Sequence, residues 1–212
     1  MVDINTILAG IFGIIGAVIG AGATLMAQWV YYKLQQKVDV TFHVKITHSH
    51  CGKERKTWGF RNYDRGCSFH VPLWLEVSNT ASISKIVRNT SLCLVKDNMI
   101  IAEMGQLQGV NIDSLTKEKF LYGDEGTYSF SIPANSIVRK ELEFFVLESK
   151  MSDDMKCFDS IWLSYFDESD IVHWFCLADV EGNWKKGELP QPGSWITLKE
   201  ARSKPEVDYG RF

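Results

Sequence analysis

The chain has no excess of basic charge: 23 lysines and arginines stand against 26 acidic residues, a net −3 over 212 residues. That excludes a broadly basic nucleic-acid surface and leaves room only for a local patch. Its five cysteines (Cys51, Cys67, Cys93, Cys157, Cys176) are an odd number without scaffold spacing, which argues against a disulfide framework and agrees with a reducing compartment. There is no G-x-S-x-G, no Walker loop and no H-E-x-x-H. The acidic pairs at Asp153-Asp154 and Asp167 to Asp170 fall in predicted turns. No enzyme, no catalytic residue and no cofactor is therefore expected.

The longest absence is of charge itself, over the 27 residues from Thr6 to Tyr32. About 20 apolar residues cross a bilayer, so this run predicts a transmembrane helix. Small residues recur along it at Ala9, Gly13, Gly16, Gly20, Ala23 and Ala27. Helices in lipid associate by close backbone approach through such residues, and a glycine zipper that joins copies of the chain is the reading this supports. The competing one is a plain anchor, since glycine is common in membrane helices. At about 100° per residue, a second small set (Gly10, Ala17, Ala21, Thr24, Gln28) lies roughly 90° from the first. Leu8, Ile11, Phe12, Ile15, Val18, Ile19, Leu25, Met26 and Trp29 occupy the lipid arc. Two packing faces imply a closed ring, with a right angle favouring a tetramer. Thr6, Gly13, Thr24 and Tyr31 would then line its axis, in a pore or in a tight bundle that does not conduct.

Only Asp3 precedes the run, whereas Lys33 and Lys37 follow it. The positive-inside rule puts the C-terminal part in the cytoplasm, with the N-terminus outside a bacterial inner membrane, and Trp29, Tyr31 and Tyr32 at the interface. A cleaved signal peptide, suggested by Ala21-Gly22-Ala23, is opposed by an n-region with no basic side chain and by an apolar run that continues past that site.

Residues 1–37 thus form the anchor and juxtamembrane segment, 38–189 a cytoplasmic domain and 190–212 a surface tail, which holds three of the five prolines. Period-two alternation dominates the domain. Val38 to Ile46 and Phe69 to Val77 read as half-buried strands, with Pro72 placing the second at an edge or a bulge. Further strands are predicted at Ile83 to Arg88, Ser91 to Val95, Met99 to Glu103, Thr127 to Ile132, Ile137 to Leu147, Ile161 to Phe166 and Ile171 to Leu177. Asp167 to Asp170 forms a hairpin turn. Asp113 to Tyr122 and Leu198 to Ser203 read as short helices. The fold class is mainly β, an antiparallel sandwich behind one membrane helix.

At Leu73-Trp74-Leu75-Glu76-Val77-Ser78-Asn79-Thr80 and Phe130-Ser131-Ile132-Pro133-Ala134-Asn135-Ser136 the chain resembles immunoglobulin-like sandwiches attached to bacterial membrane anchors. The likeness spans Val38 to Leu177 and lacks the cysteine pair and intervening tryptophan of antibody domains. The plan of a glycine-rich span followed by a cytoplasmic sandwich also resembles membrane effectors of bacterial anti-phage operons of the Hailong type. That resemblance implies a channel restrained by a nucleotide-polymer ligand.

One loop carries local chemistry. From Lys53 to Arg65 five basic and two acidic side chains give a net +3, interleaved with Trp58, Phe60 and Tyr63. Lys53, Arg55, Lys56, Arg61 and Arg65 are candidates for phosphate contacts and Trp58 for base stacking, the combination used by single-strand binders. The alternatives are a solvated loop or a patch against anionic lipid. His48, His50, Cys51, Cys67 and His70 bracket the loop but lack ligand spacing, so no metal is expected. Two functions follow: a ligand-controlled channel or membrane-disrupting effector in anti-phage defence, or an anchored scaffold whose sandwich recruits an operon-encoded protein partner. The partners of either are the bilayer, further copies of the chain and, for the first, an oligonucleotide or nucleotide.

Overall fold

The computed structural model describes residues 3–36, 40–50, 56–63, 66–111, 118–151, 157–180, 193–201 and 203–207. A 33-residue helix, α1 (Ile4–Gln36), comes first. Its segment Phe12–Lys33 is long and apolar enough to cross a membrane, and none of it is buried within the chain. The strands follow as β1 (Val40–Ile46), β2 (Gly59–Tyr63), β3 (Gly66–Asn79), β4 (Lys85–Lys96), β5 (Met99–Glu103), β6 (Gly105–Gln106), β7 (Gly109–Asn111) and β8 (Lys119–Leu121). After them come β9 (Phe130–Ile132), β10 (Ser136–Leu147), β11 (Ser160–Phe166), β12 (Val172–Asp179), β13 (Ile196–Thr197) and β14 (Glu206–Val207).

Two sheets result. The first runs β13-β1-β3-β10-β6, with β2 also on β3, and the second runs β12-β11-β4-β5-β14, with β9 also on β4. The β1-β3-β10 and β12-β11-β4-β5 orders are those of an immunoglobulin-like sandwich. Alternation supplies the core between the sheets. Phe42, Val44, Phe69, Val71, Leu73, Leu75, Leu142 and Phe144 face Leu92, Leu94, Ile161, Leu163, Tyr165 and Phe175. Aromatic rings help fill the layer between the sheets: Phe42 stacks on Tyr165 at 4.7 Å, and Phe69 meets Phe158 edge-on at 5.5 Å.

Several expectations are corrected. The strand that carries Pro72 is central, paired with β1 and β2 on one side and β10 on the other. Pro72 is tolerated because Thr47 N–H donates to its carbonyl, 3.0 Å, so its nitrogen faces the same side. There β1 has ended at Leu73 and β2 begins only at His70, and no ladder donor is missing. The stretches 85–88 and 91–95 belong to one strand, because Asn89 turns through positive φ (48°) and the chain continues. Lys119–Leu121 is a strand on β7, not the end of a helix, while residues 112–117 lie outside the described ones. Leu198 sits in the core and Ile196 in β13, so the expected helix there is replaced by period-two burial. Within the tail β13 extends the edge of the first sheet and β14 that of the second, while most of its described residues stay exposed. The Asp167 to Asp170 turn forms as expected, the Asp167 carboxylate accepting from the backbone N–H of Ser169 and Ile171 at 2.8 and 2.9 Å.

That turn also clamps the C-terminal segment. His173 bridges Asp167 (3.0 Å) and Glu200 (2.7 Å) and stacks on Tyr165. Burial lowers its pKa, but the bonds and charges of the two carboxylates outweigh it and the net shift is upward. A raised histidine pKa stabilises the folded state below its unfolded value and loses that contribution as pH rises through the folded one. Backbone exchange over 193–201, corrected for intrinsic rates, is therefore expected to accelerate as pH climbs past the ordinary histidine range. The His173→Gln variant should show no such step, and an identical step in both would refute the clamp.

Candidate functional site

Arg61 is not a solvent-facing phosphate contact. It lies on β2 opposite Ser68, is 6% exposed and points its guanidinium at Glu143, Nη1 to Oε1 3.3 Å. Glu143 is fully buried, on the outer phase of β10 but beneath the overlying segments. It accepts from His70 Nδ1 (2.7 Å), Tyr122 OH (2.5 Å) and the Ser49 hydroxyl, which lies 2.7 and 2.6 Å from its two oxygens. Burial pushes the Glu143 pKa up. The bonds from His70, Ser49 and Tyr122 and the Arg61 charge more than offset it, so the carboxyl titrates below its ordinary range. Ser68 Oγ extends the chain to His70 Nε2 at 2.8 Å. Serine, histidine and carboxylate thus lie in a row, but Ser68 is 2% exposed, which denies a substrate the approach a nucleophile needs.

The network fixes the base of the basic hairpin. Ser49 N–H donates to Lys56 O (2.9 Å), and Arg61 Nη2 donates to Lys56 O and Thr57 O (3.1 and 2.8 Å). Gly59 and Gly66 adopt φ of 131° and 130°, backbone that favours glycine, where the hairpin strand starts and where its return begins. The interleaved aromatics turn inward: Trp58 packs edge-on against Phe69 at 6.0 Å and Phe60 lies 5.2 Å from the same ring. Trp58 is thus half-buried against the core rather than offered as a free stacking face. Of the remaining candidates Lys56 is exposed, and Lys53, Arg55 and Arg65 lie outside the described residues.

What the structure assembles instead is a cleft on the outer face of the first sheet. It encloses about 380 Å³ between Lys45, Thr47, His48, His50, Trp74 and Glu141. Lys45 and Trp74 are cross-strand partners on β1 and β3, and Trp74 and Glu141 on β3 and β10; pleat alternation sends all three to one face. Trp74 and Trp195 lie 6.5 Å apart, with Lys45 at 5.2 and 5.8 Å and Arg139 at 5.4 and 5.3 Å from the two rings. The Arg139 charge is engaged by Glu76 at 2.6 Å. His50 is held by Glu141 (2.9 Å) and stacks on Phe120 (4.1 Å). The Thr47 hydroxyl, at the cleft wall, is buried with no partner among the described residues. A lysine beside an indole, with histidines in the same lining, can hold a ligand that joins an anionic group to a planar one. Sequence reading missed the cleft because its residues are scattered over four segments. The one local signal was Trp74 on the outward phase of its strand.

On α1 the seam residues Gly13, Gly16, Gly20, Ala23 and Ala27 are exposed. An added Cβ at Gly13, Gly16 or Gly20 would meet nothing within 4 Å. Among the residues assigned to a pore, Gly13, Thr24 and Tyr31 are exposed, and the Thr24 hydroxyl donates to Gly20 O at 2.8 Å. The side chains of Thr6 and Ala9 lie outside the described ones. Among the described residues no group of histidine, cysteine and carboxylate side chains is placed to hold a metal ion.

No protein-family model matches the chain, and no solved structure does. The chain is similar to the SPbeta prophage-derived uncharacterized protein YopI of Bacillus subtilis strain 168, with 22% identity over 185 residues that cover 84% of this chain and 99% of that protein.

Proposed function

We propose that the chain is a single-pass inner-membrane effector. In this reading α1 spans the bilayer, associates through its small-residue seam into a ring, a tetramer by the angle between its faces, and disrupts or conducts across the membrane. The cytoplasmic sandwich controls it by binding a ligand. The observation that carries the reading is the surface of α1. Each glycine in a helix costs about 1 kcal/mol relative to alanine, and nothing in the chain's own fold requires Gly13, Gly16 or Gly20. A second helix on that face would. The similarity to a prophage-derived protein is in keeping with a role in conflict between phage and host, as is the resemblance of the plan to anti-phage membrane effectors.

For the ligand, the Lys45-Trp74 cleft takes the place that the basic loop held in the sequence reading. A phosphate-bearing, base-containing molecule supplies the anionic and planar groups the cleft accommodates. Titration of the detergent-solubilised protein with short single-stranded DNA or RNA at several salt concentrations tests this. Lys45→Ala should weaken binding and reduce the salt slope by about one unit. Trp74→Ala should weaken it by roughly 1–3 kcal/mol with the slope unchanged. No binding by the wild type near physiological salt would remove the oligonucleotide and favour the anchored scaffold.

A further inference from the structure

We propose that the end of the sandwich nearest α1 is a membrane-seating surface, an apolar collar that rests in the lipid interface. The inference rests on the reading of α1 as a membrane span. Outside α1, the described large apolar residues left exposed are Ile86, Leu121, Ile137, Leu147, Phe166, Ile171, Trp195 and Val207. Four of these, Ile86, Ile137, Phe166 and Ile171, gather at one end, where β1 begins.

Register places them there. Val40, the first residue of β1, is opposite Asn79, which is opposite Ser136, so Ile137 stands one residue from that end. The Asn79 side-chain amide donates to Ile83 O and Pro133 O (2.9 and 3.0 Å), drawing the start of β4 to the same end. Ile86 lies there opposite Ser131, and Arg88 pairs with Phe166 at the mouth of the hairpin that ends at Ile171. Lys85 secures the hairpin through Glu168 at 2.7 Å. Ile137 is 65% and Ile171 57% exposed.

The tether decides the occupant. Four peptide steps separate Gln36, the last residue of α1, from Val40, a reach of at most about 14 Å. The opposite end of β10, at Leu147, lies 11 residues further along the strand from Ser136, about 36 Å away. The near end therefore stays within reach of the head groups and the far end does not. Single exposed apolar side chains are ordinary, but a cluster marks an interaction surface, and this one sits where the chain leaves the bilayer. Three cations near it are matched by carboxylates, Lys85 by Glu168, Arg88 by Asp170 and Arg139 by Glu76. At these positions the attraction offered to the interface is apolar.

The test uses the full chain in native membranes, with the photo-reactive residue p-benzoylphenylalanine replacing Ile137, Ile171, Leu147 or Val18 in turn. Each variant is first matched to wild type in thermal melting, and adducts are read by mass spectrometry. Lipid adducts at Ile137, Ile171 and Val18, with background only at Leu147, are the expected result. Adducts at Val18 with none at Ile137 and Ile171 would overturn the collar and leave the span intact. Cross-links from Ile137 or Ile171 to a second copy instead of lipid would overturn it in favour of an interface between sandwiches. No lipid adduct at Val18 would remove the span and the collar together.

Discussion

Glu143→Ala is expected to cost the sandwich about 3–5 kcal/mol, the range for removing one partner of a buried ion pair. For a domain of this size that is a fall in melting temperature of roughly 6–20 °C. The cause is what stays behind. Arg61 would keep a buried guanidinium without its carboxylate, and His70, Ser49 and Tyr122 would each lose an acceptor. Glu143→Gln keeps the shape and some of the bonds but not the charge, and belongs between wild type and Glu143→Ala. Removing both charges together, as Arg61→Met with Glu143→Leu, should cost less than the sum of the single changes, because neither partner is then left uncompensated. The pH profile follows from the lowered Glu143 pKa: its contribution is complete above the ordinary carboxylate range and is lost as pH falls through the folded value. Wild type should thus lose stability on acidification more steeply than Glu143→Gln. Thermal unfolding of the solubilised protein, followed by tryptophan fluorescence, measures both effects. A Glu143→Ala melt within about 2 °C of wild type would show that the network does not brace the fold.

That residue also marks where sequence reading stops. The alternation through Glu141, Leu142, Glu143 and Phe144 correctly sends Leu142 and Phe144 to the core and the two glutamates to the other face. Period-two patterning says which face a side chain takes, not whether another segment covers that face. Coverage comes from Ser49, Arg61 and Tyr122, which are 94, 82 and 21 residues away in sequence, and no local pattern records such distances. The same blindness put Arg61 and Trp58 on a ligand-binding loop. Their charge and aromaticity were legible, but their partners, Glu143 and Phe69, were not. The sandwich was more legible because its strands depend on local alternation. Two of its errors fall where one residue changes the pairing, at Pro72 where β3 exchanges neighbours and at Asn89 where a positive φ lets β4 continue. Trp74 was visible only as an outward-phase residue of β3. Its cleft emerges once Lys45, His50 and Glu141 arrive from other segments.

Gly16→Leu and Gly20→Leu are each expected to abolish assembly in the membrane. Lipid tails offer helices no hydrophobic reason to associate, so close backbone packing is the main attraction, and a leucine on the seam holds the axes apart. Within a single chain these substitutions are harmless: the added Cβ meets nothing within 4 Å at either site, and leucine is the better helix former. Loss of assembly would therefore report on the seam and not on misfolding. Ile15→Leu, on the arc proposed to face lipid, is the control and should change nothing. Cross-linking in intact membranes should show a ladder for wild type and Ile15→Leu and monomer alone for the two glycine variants. If the assembled helices also breach the membrane, induction of wild type should collapse the membrane potential, read with a potential-sensitive dye, and the glycine variants should leave it intact. An unchanged ladder in both glycine variants would overturn the seam. A ladder without any loss of potential would retain the assembly and reassign the protein as a non-conducting scaffold, with the outer face of its sandwich as the surface that recruits.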